Sequence, residues 1–143
     1  MGAVKEKQYQ ALSQIPDKIS EPEVLYFLQN KEINWSHMKA LKDISALQDE
    51  TISEWFNISV KTLRNYKKPG NNLKSNIKEQ LILLLSLFKH GKEVFGTNEQ
   101  FNQWLHSENF YFDNKPPVKF LNTITGIRFV NDRLSAMEYG DNA

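Results

Sequence analysis

A run of apolar residues in the middle of the chain restricts the possible folds more than any other feature. Six of the seven residues from Leu81 to Leu87 are apolar, within a stretch that extends from Ile77 to Phe88. One helix face cannot hold them all, because residues on one face recur every three or four positions. The segment is therefore predicted to be a helix, capped by Ser75, that is buried on several sides. It lies at the centre of a C-terminal domain, between two subunits, or both at once, and the sequence leaves these alternatives open.

The composition is that of an ordinary soluble protein, with 40% hydrophobic and 24% charged residues among 143. This length suffices for one domain or two small ones. The chain has no cysteine, which excludes a disulfide framework and a thiolate metal site and favours a cytoplasmic setting. Its polar start is unlike a signal peptide, and the longest apolar run is far below the roughly 18 residues of a membrane span. We therefore expect a cytoplasmic protein without membrane association.

Helical patterns recur along the whole chain, and no segment shows the sustained alternation of a strand. A last helix is predicted from near Thr125, with Gly140 placed as its C-cap. Candidate N-caps, each ahead of an apolar pattern, are Ser20, Ser36, Thr51, Ser59, Ser75 and Thr97. The sequence therefore predicts an all-α fold.

Two short helices that meet at a turn are predicted between residues 49 and 68, as in a helix-turn-helix. Ile52, Trp55 and Phe56 form the apolar face of the first helix, which a capping box at Thr51 would begin. Asn57 stands at the turn, where a residue that tolerates a left-handed backbone is needed. Ser59 then caps the second helix.

The second helix carries a polar stripe with the chemistry of DNA recognition. Arg and Lys contact phosphates or guanine edges, and Asn pairs with adenine. Residues 59–78 contain six basic residues and no acidic one, although the whole chain carries only +1. The alternative is an ordinary solvated helix face, which is also charged. We favour binding to operator DNA through Ser59, Lys61, Thr62, Arg64, Asn65 and Lys68.

The sequence Pro69-Gly70-Asn71-Asn72 ends this unit and marks the best domain boundary. Residues 1–35 are interpreted as an N-terminal arm and short helix, residues 36–72 as the DNA-binding unit and residues 73–143 as a second helical domain. The three histidines lie in separate segments, away from ligand spacing, and no catalytic motif is present. We therefore expect no metal, no cofactor and no enzymatic activity.

A series of short motifs in the C-terminal half recurs in an order typical of one protein family. In that order and spacing they resemble the Xre/MbcA/ParS toxin-binding domain, which follows an Xre-type helix-turn-helix in antitoxins of type II toxin-antitoxin modules. The family commonly has paired glycines before the proline step, where this chain has Asp113-Asn114. The motifs are Val94-Phe95-Gly96, Trp104-Leu105, Asn109, Pro117-Val118-Lys119-Phe120-Leu121, Thr125 with Val130, and Glu138-x-Gly140.

The resemblance, which spans about residues 36–140, implies an antitoxin that neutralises a RES-domain toxin and represses the shared operon. Such a toxin consumes NAD or transfers from it, and no NAD site is implied in this chain. Trp104, Phe120 and Val130 are interpreted as core. A homodimer would suit a reader of two half-sites, and the alternative is a dimeric transcriptional regulator without a toxin partner. Toxin contacts are expected from the loop at residues 109–114 and from the end of the last helix, at Asn109, Asp113, Asn114, Arg133, Glu138, Tyr139 and Gly140.

Overall fold

The structure, a computed structural model, describes residues 12–140. Over these residues the chain forms seven α-helices and two short 3-10 helices and contains no β-strand, so the predicted all-α fold is confirmed. Residues 1–11 of the predicted N-terminal arm and residues 141–143 at the C-terminal end lie outside the described part. The 3-10 helices are Phe110–Phe112 and Pro117–Phe120, and the α-helices are α1 Glu21–Asn30, α2 Trp35–Ser45, α3 Asp49–Trp55, α4 Val60–Asn65, α5 Ser75–Phe95, α6 Asn98–Leu105 and α7 Ile124–Glu138.

Helix α5 is the centre of the molecule. Every side chain from Leu81 to Phe88 is fully buried, and α1, α2, α6 and α7 of the same chain pack around it. The apolar excess of this helix is therefore satisfied within one chain. Of the two alternatives left by the sequence, the structure shows the central core helix, and burial of α5 requires no second subunit.

Two of the predicted N-caps are confirmed by side-chain hydrogen bonds. The hydroxyl of Thr97 accepts from the N–H of Gln100 at 3.1 Å, and that of Ser59 accepts from Thr62 at 3.0 Å. Ser20 occupies the N-cap position of α1, but its side chain makes no capping bond. The preference for Ser or Thr at the N-cap thus predicts these three helix starts from sequence.

Four other helix starts are shifted by one to three residues. Helix α2 is capped by Asn34 rather than Ser36, because the Asn34 side chain accepts from the N–H of Ser36 while His37 Nδ1 accepts from the N–H of Asn34. In α3 the carbonyl of Gln48 accepts the N–H of Ile52 at 3.1 Å, so Thr51 lies inside the first turn and does not cap. Lys74 is the N-cap ahead of Ser75, and Thr123 caps α7.

The DNA-binding segment predicted from the sequence is joined to the C-terminal segment by two side-chain amides. Gln80, buried on α5, donates its amide to the carbonyls of Trp55 and Leu121. Asn57 Nδ2 donates to the carbonyl of Asn122 at 3.1 Å. The hydrophobic core also continues from Leu63 across the turn at residues 69–72. Within residues 12–140, none of the helices is both long and apolar enough to cross a membrane.

Candidate functional site

The turn between α3 and α4 has the backbone conformation that its sequence predicts. Asn57 has φ +55°, in the left-handed region that Asn adopts more readily than most residues. Ile58 is partly buried against the core, and Ser59 caps α4. The short polar side chain at the turn and the hydroxyl at the cap therefore fix how α4 leaves α3.

The polar stripe of α4 is presented to solvent, but the helix is shorter than predicted. Lys61 and Arg64 are exposed and Asn65 is half-buried, while Leu63 is fully buried on the opposite side. We expected the helix to reach Lys68, but it ends at Asn65, because the next three N–H groups bond to carbonyls three residues back. Lys68 is exposed one tight turn further on. The remaining candidates are Ser59, which is exposed, and Thr62, which is half-buried.

An ion-pair network that the sequence does not indicate holds Arg64. Arg64 Nε lies 3.1 Å from Asp49 Oδ2, and Lys42 Nζ lies 2.6 Å from Asp49 Oδ1. The hydrogen bond from Lys42, together with the neighbouring Arg64, holds the pKa of the Asp49 carboxyl below its ordinary value. Three helices supply the three residues, so periodicity within one helix could not have shown the network.

The loop between α6 and α7 turns on two left-handed residues. Asp113 has φ +57° and Asn114 has φ +59°, at the positions where the resembled family carries paired glycines. The carbonyl of Asn109 accepts the N–H of Asn114 at 2.9 Å, and the Asn109 side chain accepts the N–H of Tyr111. Asp and Asn adopt this backbone at low cost, so the loop makes its turn without glycine.

Two residues of this loop and two of α7 form a cluster that we call the aromatic patch: Phe110, Tyr111, Phe129 and Arg133. Phe110 is 81% exposed, and the Arg133 guanidinium carbon lies 3.7 Å from the centre of the Tyr111 ring. Phe129 precedes Arg133 by four residues on α7, so the two share a face. Exposed apolar groups that cluster in this way mark interaction sites. Phe129 was missed from the sequence, and the available signal was its position off the Ile127, Val130 and Leu134 face.

The end of α7 is tied to the core by Glu138. Its carboxylate is hydrogen-bonded to Nε2 of the fully buried His90 and lies 3.3 Å from Lys18 Nζ. The hydrogen bond from His90 is the main cause that lowers the Glu138 pKa, with Lys18 adding to it. Glu138, which we expected as a toxin contact, is thus the last helical residue and is bound to its own chain. Tyr139 follows, 86% exposed.

The remaining residues discussed from the sequence are those interpreted as core and the histidines. Val130 is fully buried, and Trp104 and Phe120 are partly buried against the core, which fits their interpretation as packing residues. His37 is buried, whereas the exposed His106 contacts the carbonyl of Asn102. No group of three His, Asp or Glu residues in the described part of the chain could hold a metal ion.

Comparison with known protein families identifies the C-terminal segment. Residues 90–140 match the family model of the antitoxin Xre/MbcA/ParS C-terminal toxin-binding domain. The matched segment contains the loop, the aromatic patch and α7, and the resemblance read from the motifs is confirmed there. The comparison with curated proteins found no match to the chain.

Proposed function

We propose, on the premise that residues 90–140 form an antitoxin's toxin-binding domain, that the protein neutralises a RES-domain toxin by direct binding. It also represses the shared operon through α3 and α4. The protein is in this proposal a cytoplasmic binding protein and not an enzyme. The observation that carries the proposal is the aromatic patch, because it lies within the matched segment and exposes three large aromatic side chains to solvent.

The toxin contact is built from the aromatic patch and the adjoining loop. Aromatic and Arg side chains are the residue types that dominate binding energy at protein interfaces. The loop is held in one conformation by the bonds of Asn109, and Arg133 is held against Tyr111. Because a surface that is already rigid loses little conformational entropy on binding, this arrangement favours affinity. Asp113 and Asn114, both exposed at the tip of the loop, complete the contact.

The end of α7 supplies the second part of the toxin contact. Glu138 fixes the point at which the chain leaves the helix, and the exposed Tyr139 and Gly140 then lead towards the partner. Gly140 has φ +99°, which permits a sharp change of direction there. A chain segment that covers the entrance of an NAD-binding cleft inhibits most directly, and acidic residues complement a cleft that binds phosphates.

Operator binding is assigned to the exposed residues on and around α4. Their positive charge is local and faces solvent, which phosphate contact requires. A reader of two half-sites is a dimer, so we propose a homodimer. Since α5 is enclosed by its own chain, the dimer interface uses another surface.

Co-purification with the product of the neighbouring reading frame tests the proposal. We expect that product to be a RES-domain protein and to remain bound to the chain through affinity and size-exclusion steps. The variant Phe110→Asp places a charge in the aromatic patch and should release it, whereas Arg64→Ala should keep it. If the wild-type chain shifts operator DNA but retains no neighbouring product, the protein is instead a transcriptional regulator without a toxin partner.

A further inference from the structure

We infer that Asp49 is a positioning residue that presents Arg64 to a guanine base, while the lysines around α4 bind phosphates. The inference rests on the proposed DNA-binding function and adds a division of roles within that surface. It predicts which residue determines sequence preference and which residues supply general affinity.

The geometry of the Arg64 ion pair leaves the outer edge of the guanidinium available. The pair uses Nε, at 3.1 Å from Asp49 Oδ2, and the side chain of Arg64 is still 64% exposed. Among residues 12–140, the two terminal amino groups of Arg64 have no hydrogen-bond partner. These two groups form the planar fork that matches O6 and N7 of guanine in the major groove.

Asp49 is itself held in place, so it can fix the direction of Arg64. Its other oxygen accepts from Lys42 Nζ at 2.6 Å, and its side chain is only 18% exposed. Lys42 in turn lies 5.7 Å from the centre of the Trp35 ring. As the first residue of α3, Asp49 also lies where the helix dipole favours a negative charge. Lys42 of α2 therefore holds the carboxylate in place independently of Arg64.

The lysines of the same surface are in the opposite situation. Lys61, Lys67 and Lys68 are exposed, and in the described part of the chain none of them has an acidic partner. Each can approach a phosphate with its full charge. Arg64 carries a carboxylate beside its charge, which weakens its attraction for a charged phosphate more than its hydrogen bonding to a neutral base. The structure thus separates a base-reading arginine from phosphate-binding lysines.

The test compares one isosteric charge change at Asp49 with the same change next to it. A DNA duplex is first selected by the wild-type chain from a random-sequence pool, and the affinity for it is divided by that for an unrelated duplex of equal length. We expect Asp49→Asn to lower this specificity ratio about fivefold or more, since a bidentate guanine contact discriminates by about that factor. Glu50→Gln is the control, because Glu50 is exposed and belongs to no ion pair among the described residues.

A second measurement identifies the base and separates positioning from general destabilisation. Replacing each guanine of the selected duplex by 7-deazaguanine removes the N7 acceptor. For the wild type, one guanine should be sensitive to the replacement, and for Asp49→Asn and Arg64→Ala that guanine should lose its sensitivity. The salt dependence of binding should fall by about one unit of slope in Lys61→Ala and should not fall in Asp49→Asn.

The possible outcomes separate this inference from the proposed function. If the wild type selects no duplex, operator binding fails and the inference fails with it. If the wild type is selective and Asp49→Asn has the same specificity ratio and the same sensitive guanine, only the positioning role is overturned. Because the ratio is measured on one protein sample, a partly unfolded fraction changes both affinities equally and leaves the ratio unaffected.

Discussion

At the scale of single residues, the start of α7 depends on the absence of a side chain at Gly126. A Cβ atom there would lie 1.8 Å from the carbonyl oxygen of Phe120. The second 3-10 helix and α7 are therefore in direct backbone contact. This contact sets the direction of the helix that carries Arg133 of the aromatic patch.

We predict that Gly126→Ala lowers the free energy of unfolding by about 3 kcal/mol, because the backbone has to move to admit the methyl group. Urea denaturation followed by circular dichroism measures this change. Ser135→Ala, also in α7 but half-buried, is the control and should stay within about 0.5 kcal/mol of the wild type. A Gly126→Ala midpoint equal to that of the control would show that the two segments do not pack this closely.

A second residue-scale prediction concerns His37 and pH. Burial lowers the pKa of His37 below its ordinary value of 6.5, and its Nδ1 accepts the N–H of Asn34, which only the neutral ring allows. Below pH 6.5 the unfolded chain therefore binds a proton that the folded chain does not. The contribution of His37 to the free energy of unfolding is therefore fully present above that pH. It decreases as the pH falls, by up to about 1.4 kcal/mol per pH unit.

The control variant for this pH effect is His37→Gln, because Gln at this position can still complete a capping box but does not titrate. We expect the loss of stability between about pH 7.5 and 5.5 to be smaller in the variant than in the wild type. Urea denaturation at the two pH values gives both slopes. Equal slopes would mean that His37 is not the group that titrates.

At the scale of elements, the end of α7 shows which part of the chain is structural. Met137 packs against the core and Glu138 bonds to His90, whereas Tyr139 is exposed. A chain that ends at Leu134 thus loses core contacts as well as the tail. Removal of residues 139–143 keeps Glu138 and its bonds, and separates the two effects.

We predict that the chain lacking residues 139–143 keeps the wild-type melting temperature within a few degrees and still binds operator DNA, but no longer neutralises the partner toxin. The shorter chain that ends at Leu134 should melt at a distinctly lower temperature. Circular dichroism melts and toxin rescue measure the two effects. Full rescue by the folded chain without residues 139–143 would confine the toxin contact to the loop and the aromatic patch.

The elements themselves could be predicted from sequence wherever one short stretch determines them. Thr97 and Ser59 cap their helices, and Asn57 takes the left-handed turn, because each effect involves only neighbouring residues. Asn34 displaced Ser36 as a cap because its side chain accepts from both the N–H and the hydroxyl of Ser36. The choice between two capping residues that are close in sequence depends on these side-chain hydrogen bonds. The predicted start of α2 was therefore wrong by less than one turn.

The parts that sequence did not reveal are contacts between elements. Asp49 and Arg64 lie on different helices, and no spacing rule relates residues at that separation. The same holds for Glu138 and His90, which are 48 positions apart. The sequence also could not predict whether α5 packs against its own chain or against a second subunit, because the apolar pattern is the same in both cases. Periodicity predicts which residues are buried but not what covers them.

At the scale of the whole molecule, the two surfaces share one core. Gln80 on α5 bonds the end of α3 to the segment that follows the second 3-10 helix. The core is therefore continuous beneath the predicted boundary at residues 69–72 and beneath the two surfaces to which different roles are proposed. We therefore expect the regions assigned to DNA and toxin binding to unfold as one cooperative unit.

We predict that Gln80→Met lowers the free energy of unfolding by about 1 to 3 kcal/mol, because it leaves two buried carbonyls without their donor. Tryptophan fluorescence and far-ultraviolet circular dichroism should show the same single transition in the wild type and in the variant. Leu28→Met, a partly buried volume-conserving change on α1, serves as the control. Two separate transitions in the wild type would show instead that the DNA-binding and toxin-binding regions fold independently.

The proposed function assigns toxin binding to the C-terminal surface and DNA reading to α4 of the same chain. Its most direct test is a paired assay in cells that carry the neighbouring toxin gene, with growth and operon repression measured together. We predict that Phe110→Asp represses the operon but does not restore growth, and that Arg64→Ala restores growth but does not repress. Restored growth with Phe110→Asp, or loss of both activities in each variant, would contradict it.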